Sequence, residues 1–168
     1  MEDKFIVKIP SVYSVIVGGA FTISAIFALI CLGMDYENLT EVQSITFLIV
    51  GLLGLLFGAI IIYVCLSYRI YVDDDIIIAK KAFAKTIKIQ LKDINRIICA
   101  EGHNGKGVST GRVVTIQTEK YLIKVDQALD GWILMLKYLY DKCDKGMLNH
   151  IDSGNRNAIK EFYRHSVK

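Results

Sequence analysis

Cysteine and histidine are the residue types in this sequence that could act as nucleophiles or bind a metal ion. A catalytic thiolate needs a nearby base that is itself held by a third group, and Cys99 with His103 is the one pair that lies close in the sequence. No C-x-x-C occurs, and no ligand pair has the spacing of a zinc finger. We therefore expect no catalytic residue, no metal site, no cofactor and no enzyme activity. The full set is Cys31, Cys65, Cys99, Cys143, His103, His150 and His165.

A glycine-rich segment at 102–107 invites comparison with the loops that hold phosphate groups. A Walker loop has four residues between its first glycine and its Gly-Lys pair, and a serine or threonine follows the lysine. If Gly105 and Lys106 were that pair, Ala100 would stand where the first glycine is required and Gly107 where the hydroxyl is required. The segment therefore predicts a flexible loop between two strands.

Four lysines surround the short apolar segment Ala82-Phe83-Ala84. A polybasic segment close to a cytoplasmic membrane face gains up to about 1 kcal/mol per residue from anionic lipid. The cluster indicates either contact with anionic headgroups or an acidic partner, or a solvent-exposed hairpin kept soluble by lysine. Nucleic acid is not expected, because exposed aromatic residues do not alternate with the basic ones. The candidate contact residues are Lys80, Lys81, Lys85 and Lys88.

Two long apolar runs decide where these groups are held. They extend from Ser11 to Met34 and from Val42 to Tyr68, and neither contains Lys, Arg, Asp or Glu. A helix needs about 20 apolar residues to cross a hydrocarbon core. Two such runs in tandem exceed ordinary core helices, and the first is too long for a signal peptide and lacks its A-x-A cleavage pattern. We therefore predict a two-helix transmembrane hairpin at 11–68.

The charges that flank the runs predict the orientation of this hairpin. The connecting loop at 35–41 carries three acidic residues and no Lys or Arg, whereas Lys4 and Lys8 precede the first run and Arg69 follows the second. Basic residues favour the cytoplasmic side of a membrane. We therefore expect a multi-pass protein of the cell membrane with both termini in the cytoplasm and the acidic loop outside.

Small residues recur along one face of each predicted span. Such stripes allow two helix backbones to approach closely in lipid, so the hairpin packs on itself or one stripe forms a homo-oligomer. Because no charged residue lies inside either span, no ion or proton pathway through them is expected. The candidate packing residues are Gly18, Thr22, Ala25, Gly51, Gly54 and Gly58.

The last hundred residues are sufficient for one compact domain. They begin with successive strands joined by short turns, a pattern typical of an antiparallel meander. A helical period follows and predicts one helix at about 127–142 that packs on the strands. The expected organisation is a cytoplasmic flank at 1–10, a domain at 69–143, and a polar tail at 144–168 with a short helix near its end.

Three stretches of this domain carry a resemblance to a known family. Tyr71–Ile78 resembles a first β-hairpin, Ile89–Ile94 reads Ile-Gln-Leu-Lys-Asp-Ile, and Trp132–Leu139 falls in the predicted helix. Together these stretches, which cover about residues 68–143, resemble the small membrane-anchored bacterial PH-like domain proteins. The resemblance implies an α+β or all-β cytoplasmic domain with a strongly bent antiparallel sheet, capped by one C-terminal helix. It implies little about activity, because PH-like folds bind lipids, peptides and proteins.

The sequence therefore predicts a non-enzymatic module that the lipid bilayer anchors. We expect its domain to bind another protein, a second copy of itself or anionic lipid headgroups at the cytoplasmic surface. The alternative is an accessory subunit of a membrane transport or secretion complex, in which the glycine stripes dock on a membrane protein partner.

Overall fold

The computed structural model describes residues 4–34, 39–103, 109–148 and 151–167. The chain divides into a hairpin unit, Pro10–Ser67, and a sheet unit, which combines Met1–Ile9 with Tyr68–Lys168. The sheet unit therefore takes residues from both sides of the hairpin. Positions 35–38 of the predicted acidic loop and 104–108 of the glycine-rich segment lie outside the described residues.

The hairpin unit consists of two long apolar helices. Helix α1 is Ser11–Met34 and helix α2 is Glu41–Ser67, and both are long and apolar enough to cross a membrane. The start of α2 is a capping box, because the backbone N–H of Gln43 donates to Thr40 Oγ1 at 3.3 Å while Gln43 Oε1 accepts from the Thr40 N–H at 3.0 Å. Most large apolar side chains of both helices are exposed, as lipid-facing side chains would be. The prediction of two long apolar helices is therefore confirmed.

Within its described residues, the sheet unit contains seven antiparallel strands in two sheets. The first sheet has the order β1, Lys4–Lys8; β2, Arg69–Asp73; β3, Ile76–Lys80; and β4, Ile87–Gln90. The second has the order β5, Arg96–His103; β6, Ser109–Gln117; and β7, Leu122–Asp126. The predicted antiparallel meander is confirmed, and its strands form two hydrogen-bonded sheets.

Strand β1 is the element that changes the domain boundaries. Residues 1–10 are expected from the sequence to be a flank, whereas β1 is an edge strand of the first sheet and pairs with β2 along its whole length. Its Val7 is fully buried in the core. A five-residue strand at the start of a chain, separated from its partner by the whole hairpin, carries a weak local signal. The domain at 69–143 is therefore extended by a segment that precedes the hairpin.

Two helices complete the sheet unit. Helix α3 is Trp132–Asp144 and helix α4 is Ser153–Ser166. Helix α3 begins later than expected, because the chain first turns after β7 and forms a two-way bridge between Asp130 and Lys8. The short helix expected near the end of the polar tail is α4, and its Ile159 and Phe162 are buried in the common core. The core lies between the inward faces of the strands and these two helices.

Candidate functional site

The paired ends of β1, β2 and β3 form a row of three basic residues. Arg69 is the register partner of both Lys8 and Lys80, and all three residues are exposed. Adjacent partners in an antiparallel sheet have their Cα atoms about 4.5–5.5 Å apart, so the Cα atoms of these three residues lie within roughly 10 Å of one another. We call Lys8, Arg69 and Lys80 the basic row.

The basic row adjoins an apolar strip on the outer face of the sheet. The next row on that face joins Ile6, Tyr71, Ile78 and Lys88 across the four strands. The ammonium group of Lys80 lies over the ring of Tyr71, 5.1 Å from its centroid, where a cation is attracted to the π-electrons. The outer face therefore combines exposed positive charge with partly exposed apolar surface, while the alternate residues of each strand face the core.

The turn between β3 and β4 leaves the sheet at this same end. The backbone N–H of Ala84 donates to the carbonyl of Lys81 at 3.4 Å. Phe83, at the tip, has φ of +55° and a side chain that is 79% exposed. Lys81 and Lys85 are exposed on either side of it. We call residues 81–86 the Phe83 turn.

The opposite end of the sheet is acidic. Asp73, Asp74 and Asp75 lie where β2 turns into β3, and Lys4 Nζ approaches Asp73 Oδ1 at 3.5 Å. Four residue steps along a strand separate the two ends by roughly 13 Å, which exceeds the Debye length of about 8 Å at physiological ionic strength. The carboxylates at one end therefore neutralise the cations at the other only weakly.

The structure brings together the lysines of the sequence-predicted cluster and adds two cations to it. Lys80 and Lys88 lie in strands, and Lys81 and Lys85 lie in the Phe83 turn. From the sequence, Lys8 and Arg69 are recognisable only as flanking charges that set the orientation of the hairpin. The signal that could have found them is their position: each stands within three residues of an end of the apolar hairpin.

The six small residues of the predicted stripes face one another inside the hairpin unit. A Cβ added to Gly58 would lie 2.7 Å from Thr22 Oγ1, and one added to Gly54 would lie 2.8 Å from the Cβ of Ala25. The Thr22 hydroxyl donates to the carbonyl of Gly18 at 2.9 Å, so its polar group is satisfied within its own helix. A Cβ added to Gly51 would collide with the side chain of Leu29, and one added to Gly18 would collide with the side chain of Ile62. Both stripes are thus used in packing α1 against α2.

The thiols of the sheet unit are poorly placed for nucleophilic chemistry. Burial raises the pKa of Cys99 to about 12, and the neighbouring Cys143 contributes to the rise. Burial also raises the pKa of Cys143, against the opposing effect of Arg156. A thiol is reactive as its thiolate, so both cysteines remain protonated at neutral pH. His150 lies outside the described residues, and within the part of the chain that the structure describes no three His, Cys, Asp or Glu residues could hold a metal ion.

The chain matches no protein-family model, no curated protein and no solved structure. Its function is therefore inferred from the chemistry of the site. That site is suited to attracting anions next to an apolar surface, since its prominent groups are cations, aliphatic side chains and two aromatic rings.

Proposed function

We propose that this protein is a membrane-anchored binding module of the PH-like type. In this proposal the hairpin unit crosses the cell membrane twice, and both chain ends remain in the cytoplasm. The sheet unit binds a protein, a second copy of itself or anionic lipid headgroups at the cytoplasmic surface. The module acts without catalysis, since its thiols are held protonated and its site is made of cations and apolar side chains.

The pairing of β1 with β2 is the observation that carries this proposal. Lys8 lies opposite Arg69, although the whole apolar hairpin lies between them in the sequence. Two strands can pair only on one side of a bilayer, so the chain must leave and return on the same side, as two spans require. The basic row at these ends favours the cytoplasmic side, where lysine and arginine concentrate in membrane proteins.

The PH-like part of the proposal is supported by the order of the elements. A four-stranded antiparallel sheet, a three-stranded antiparallel sheet and a helix after the last strand follow one another. These are the parts of a bent antiparallel sheet capped by a C-terminal helix, which the sequence resemblance implies. In this proposal the hairpin is inserted after the first strand instead of preceding the domain.

Labelling of an introduced cysteine in intact cells, compared with that of the native cysteines alone, tests the orientation. Thr40→Cys lies beside the start of α2, in the segment that joins the two spans, and Lys120→Cys lies in the exposed turn before β7. We expect a membrane-impermeant maleimide to label T40C in intact cells and K120C only after the membrane is opened. The unaltered chain, with its four native cysteines, is the control. Labelling of K120C from outside would contradict the proposal.

Co-purification in mild detergent tests the alternative, an accessory subunit of a transport or secretion complex. A stoichiometric channel or transporter would favour that alternative. The facing glycine stripes argue against it, because the small residues that would form a docking face already pack α1 on α2. We expect the protein to purify alone or as an oligomer of itself.

A further inference from the structure

The position of Phe83 is unfavourable for both its side chain and its backbone. Its ring is 79% exposed at the tip of a turn, where a benzyl group gains little from burial. Its φ of +55° lies in the left-handed region that bulky residues rarely adopt. A strained backbone and an exposed aromatic ring at one position point to a function for that position.

The residues around Phe83 are basic, both in the turn itself and in the adjoining end of the sheet. Lys81 and Lys85 flank Phe83 within the turn. The basic row lies at the end of the sheet from which the turn leaves, because Lys80 is both the last residue of β3 and a member of that row. An aromatic tip surrounded by lysines is the pattern of segments that bury an apolar side chain at the boundary of headgroups and acyl chains while binding anionic phosphates.

Short connections join this end of the sheet to the two apolar helices. Lys8 is three residues before the start of α1, and Arg69 is two residues after the end of α2. An extended chain covers at most about 3.6 Å per residue, so each backbone position lies within roughly 11 Å of a helix end. In a protein whose hairpin crosses the bilayer, these two backbone positions are therefore within reach of the headgroup region.

We propose that the Phe83 turn is a bilayer-docking site for the cytoplasmic leaflet. Phe83 enters the boundary between headgroups and acyl chains, and Lys81, Lys85 and the basic row bind the phosphates of anionic lipids. The acidic end of the sheet, with Asp73, Asp74 and Asp75, faces away from the negatively charged surface. This inference rests on the proposed function, because it requires the hairpin to cross the membrane with the sheet unit in the cytoplasm.

Tryptophan fluorescence of the full-length protein in lipid nanodiscs tests the docking. The chain has one tryptophan, Trp132, which is buried and supplies a constant background. Phe83→Trp places a reporter at the tip of the turn. Met147→Trp places the matched control at the acidic end, where Met147 is partly exposed beside Asp75. In discs that contain anionic lipid with brominated acyl chains, we expect blue-shifted, quenched emission from F83W and solvent-like emission from M147W.

Charge reversal separates the role of the lysines from that of the ring. Adding Lys81→Glu or Lys85→Glu to F83W is expected to lower the ratio of docked to undocked turn by at least about fivefold for each lysine, because each change removes an attraction to anionic lipid and adds a repulsion. The emission of F83W should also be quenched less in zwitterionic discs than in anionic discs. Equal quenching of F83W in anionic and zwitterionic discs would overturn phosphate binding by these lysines.

Two results distinguish failure of this inference from failure of the proposed function. If the protein enters the discs with the expected orientation but F83W matches M147W in emission and quenching, docking is wrong and the anchored module stands. Docking is equally wrong if F83W is shielded by an acidic protein from native membranes instead of by lipid. If the protein fails to enter the discs, or if its sheet unit lies outside the cell, the proposed function fails as well.

Discussion

Lys142 Nζ donates a hydrogen bond to Asp75 Oδ1 at 2.7 Å and so joins the end of α3 to the turn between β2 and β3. The two partners are unequally buried, because the Lys142 side chain is 8% exposed and the Asp75 side chain is 55% exposed. Tyr138, one turn earlier in α3, donates to the carbonyl of Asp74 at 2.7 Å. The helix is thus fixed to the acidic end of the sheet by two polar contacts.

This unequal burial predicts that Asp75→Asn destabilises the sheet unit more than Lys142→Met does. D75N leaves a buried ammonium group beside a neutral amide, and removal of one partner of a buried pair costs up to about 3–5 kcal/mol. K142M leaves only a half-exposed carboxylate, which water can solvate, so we expect a loss of about 1 kcal/mol. Chemical denaturation measures both, with Lys145→Met as an exposed control. Equal losses for D75N and K142M would show that burial does not govern this pair.

Gly131 predicts a second stability effect, which arises from the backbone. It precedes α3 with φ of +88°, and a Cβ there would lie 2.6 Å from the carbonyl oxygen of Ile6 in β1. Gly111 also has positive φ, +116°, but a Cβ there meets nothing closer than 3.9 Å. We expect Gly111→Ala to cost about 1–2 kcal/mol from strain alone, and Gly131→Ala to cost clearly more because it also displaces β1. Thermal denaturation of the two variants separates collision from strain.

The packing of the hairpin gives a third prediction. Gly58→Val would bring a branched side chain against Thr22 Oγ1, at 2.7 Å, and against the Gly18 carbonyl, at 3.2 Å. Overpacking of this kind costs about 1–3 kcal/mol, so we expect a lower Tm in detergent and a weaker α1–α2 contact. Gly33→Val is the control, since a Cβ at Gly33 meets nothing within 4 Å. A Tm for G58V equal to that of G33V would contradict the facing arrangement of the stripes.

The pKa of Cys99 predicts a pH dependence of stability. The pKa is about 12 in the folded protein against an ordinary 9.0, because burial and then Cys143 disfavour the thiolate. Below pH 9 both the folded and the unfolded states keep the proton, so the contribution of the neutral, buried Cys99 thiol to the free energy of unfolding is fully present. Between pH 9 and 12 the unfolded state loses the proton and the folded state keeps it, so the free energy of unfolding falls as pH rises.

The measurement is the Tm of the unaltered chain and of Cys99→Ala across this range. The variant should lose Tm less steeply between pH 9 and 12, whatever its stability at neutral pH. Alkylation of Cys99 by iodoacetamide should also remain slow at about pH 8, where the thiolate is scarce. Parallel pH profiles for the two proteins, or rapid alkylation under these conditions, would contradict a pKa of about 12.

The elements with strong local periodicity could be predicted from the sequence. The two apolar helices, the strands from Arg69 onward and α3 each have a hydrophobic pattern of their own. Strand β1 could not be predicted, because its five residues are stabilised by partners that lie beyond the hairpin. Helix α4 is expected from the sequence only as a short peripheral element, because few of its residues are apolar although Ile159 and Phe162 reach the core.

The candidate site also contains residues that could be predicted from the sequence and residues that could not. The four lysines of the cluster are near one another in the sequence and are recognisable for that reason. The basic row depends on strand register, since Lys8, Arg69 and Lys80 meet only after β1, β2 and β3 pair. The importance of Phe83 rests on its backbone conformation and exposure, and neither is readable from residue types.

The position of β1 ahead of the hairpin sets an order on the biogenesis of the protein. The ribosome delivers β1 first, and roughly 60 residues must follow before its partner β2 is complete, which takes several seconds at about 5–20 residues per second. During that interval the two apolar helices, Ser11–Met34 and Glu41–Ser67, are synthesised. Until β1 pairs with it, β2 has an uncovered edge, and an unpaired strand edge promotes aggregation. The edge of β2 is therefore protected only after the chain has been synthesised beyond the hairpin, and release of β1 from the folded protein would expose that edge again.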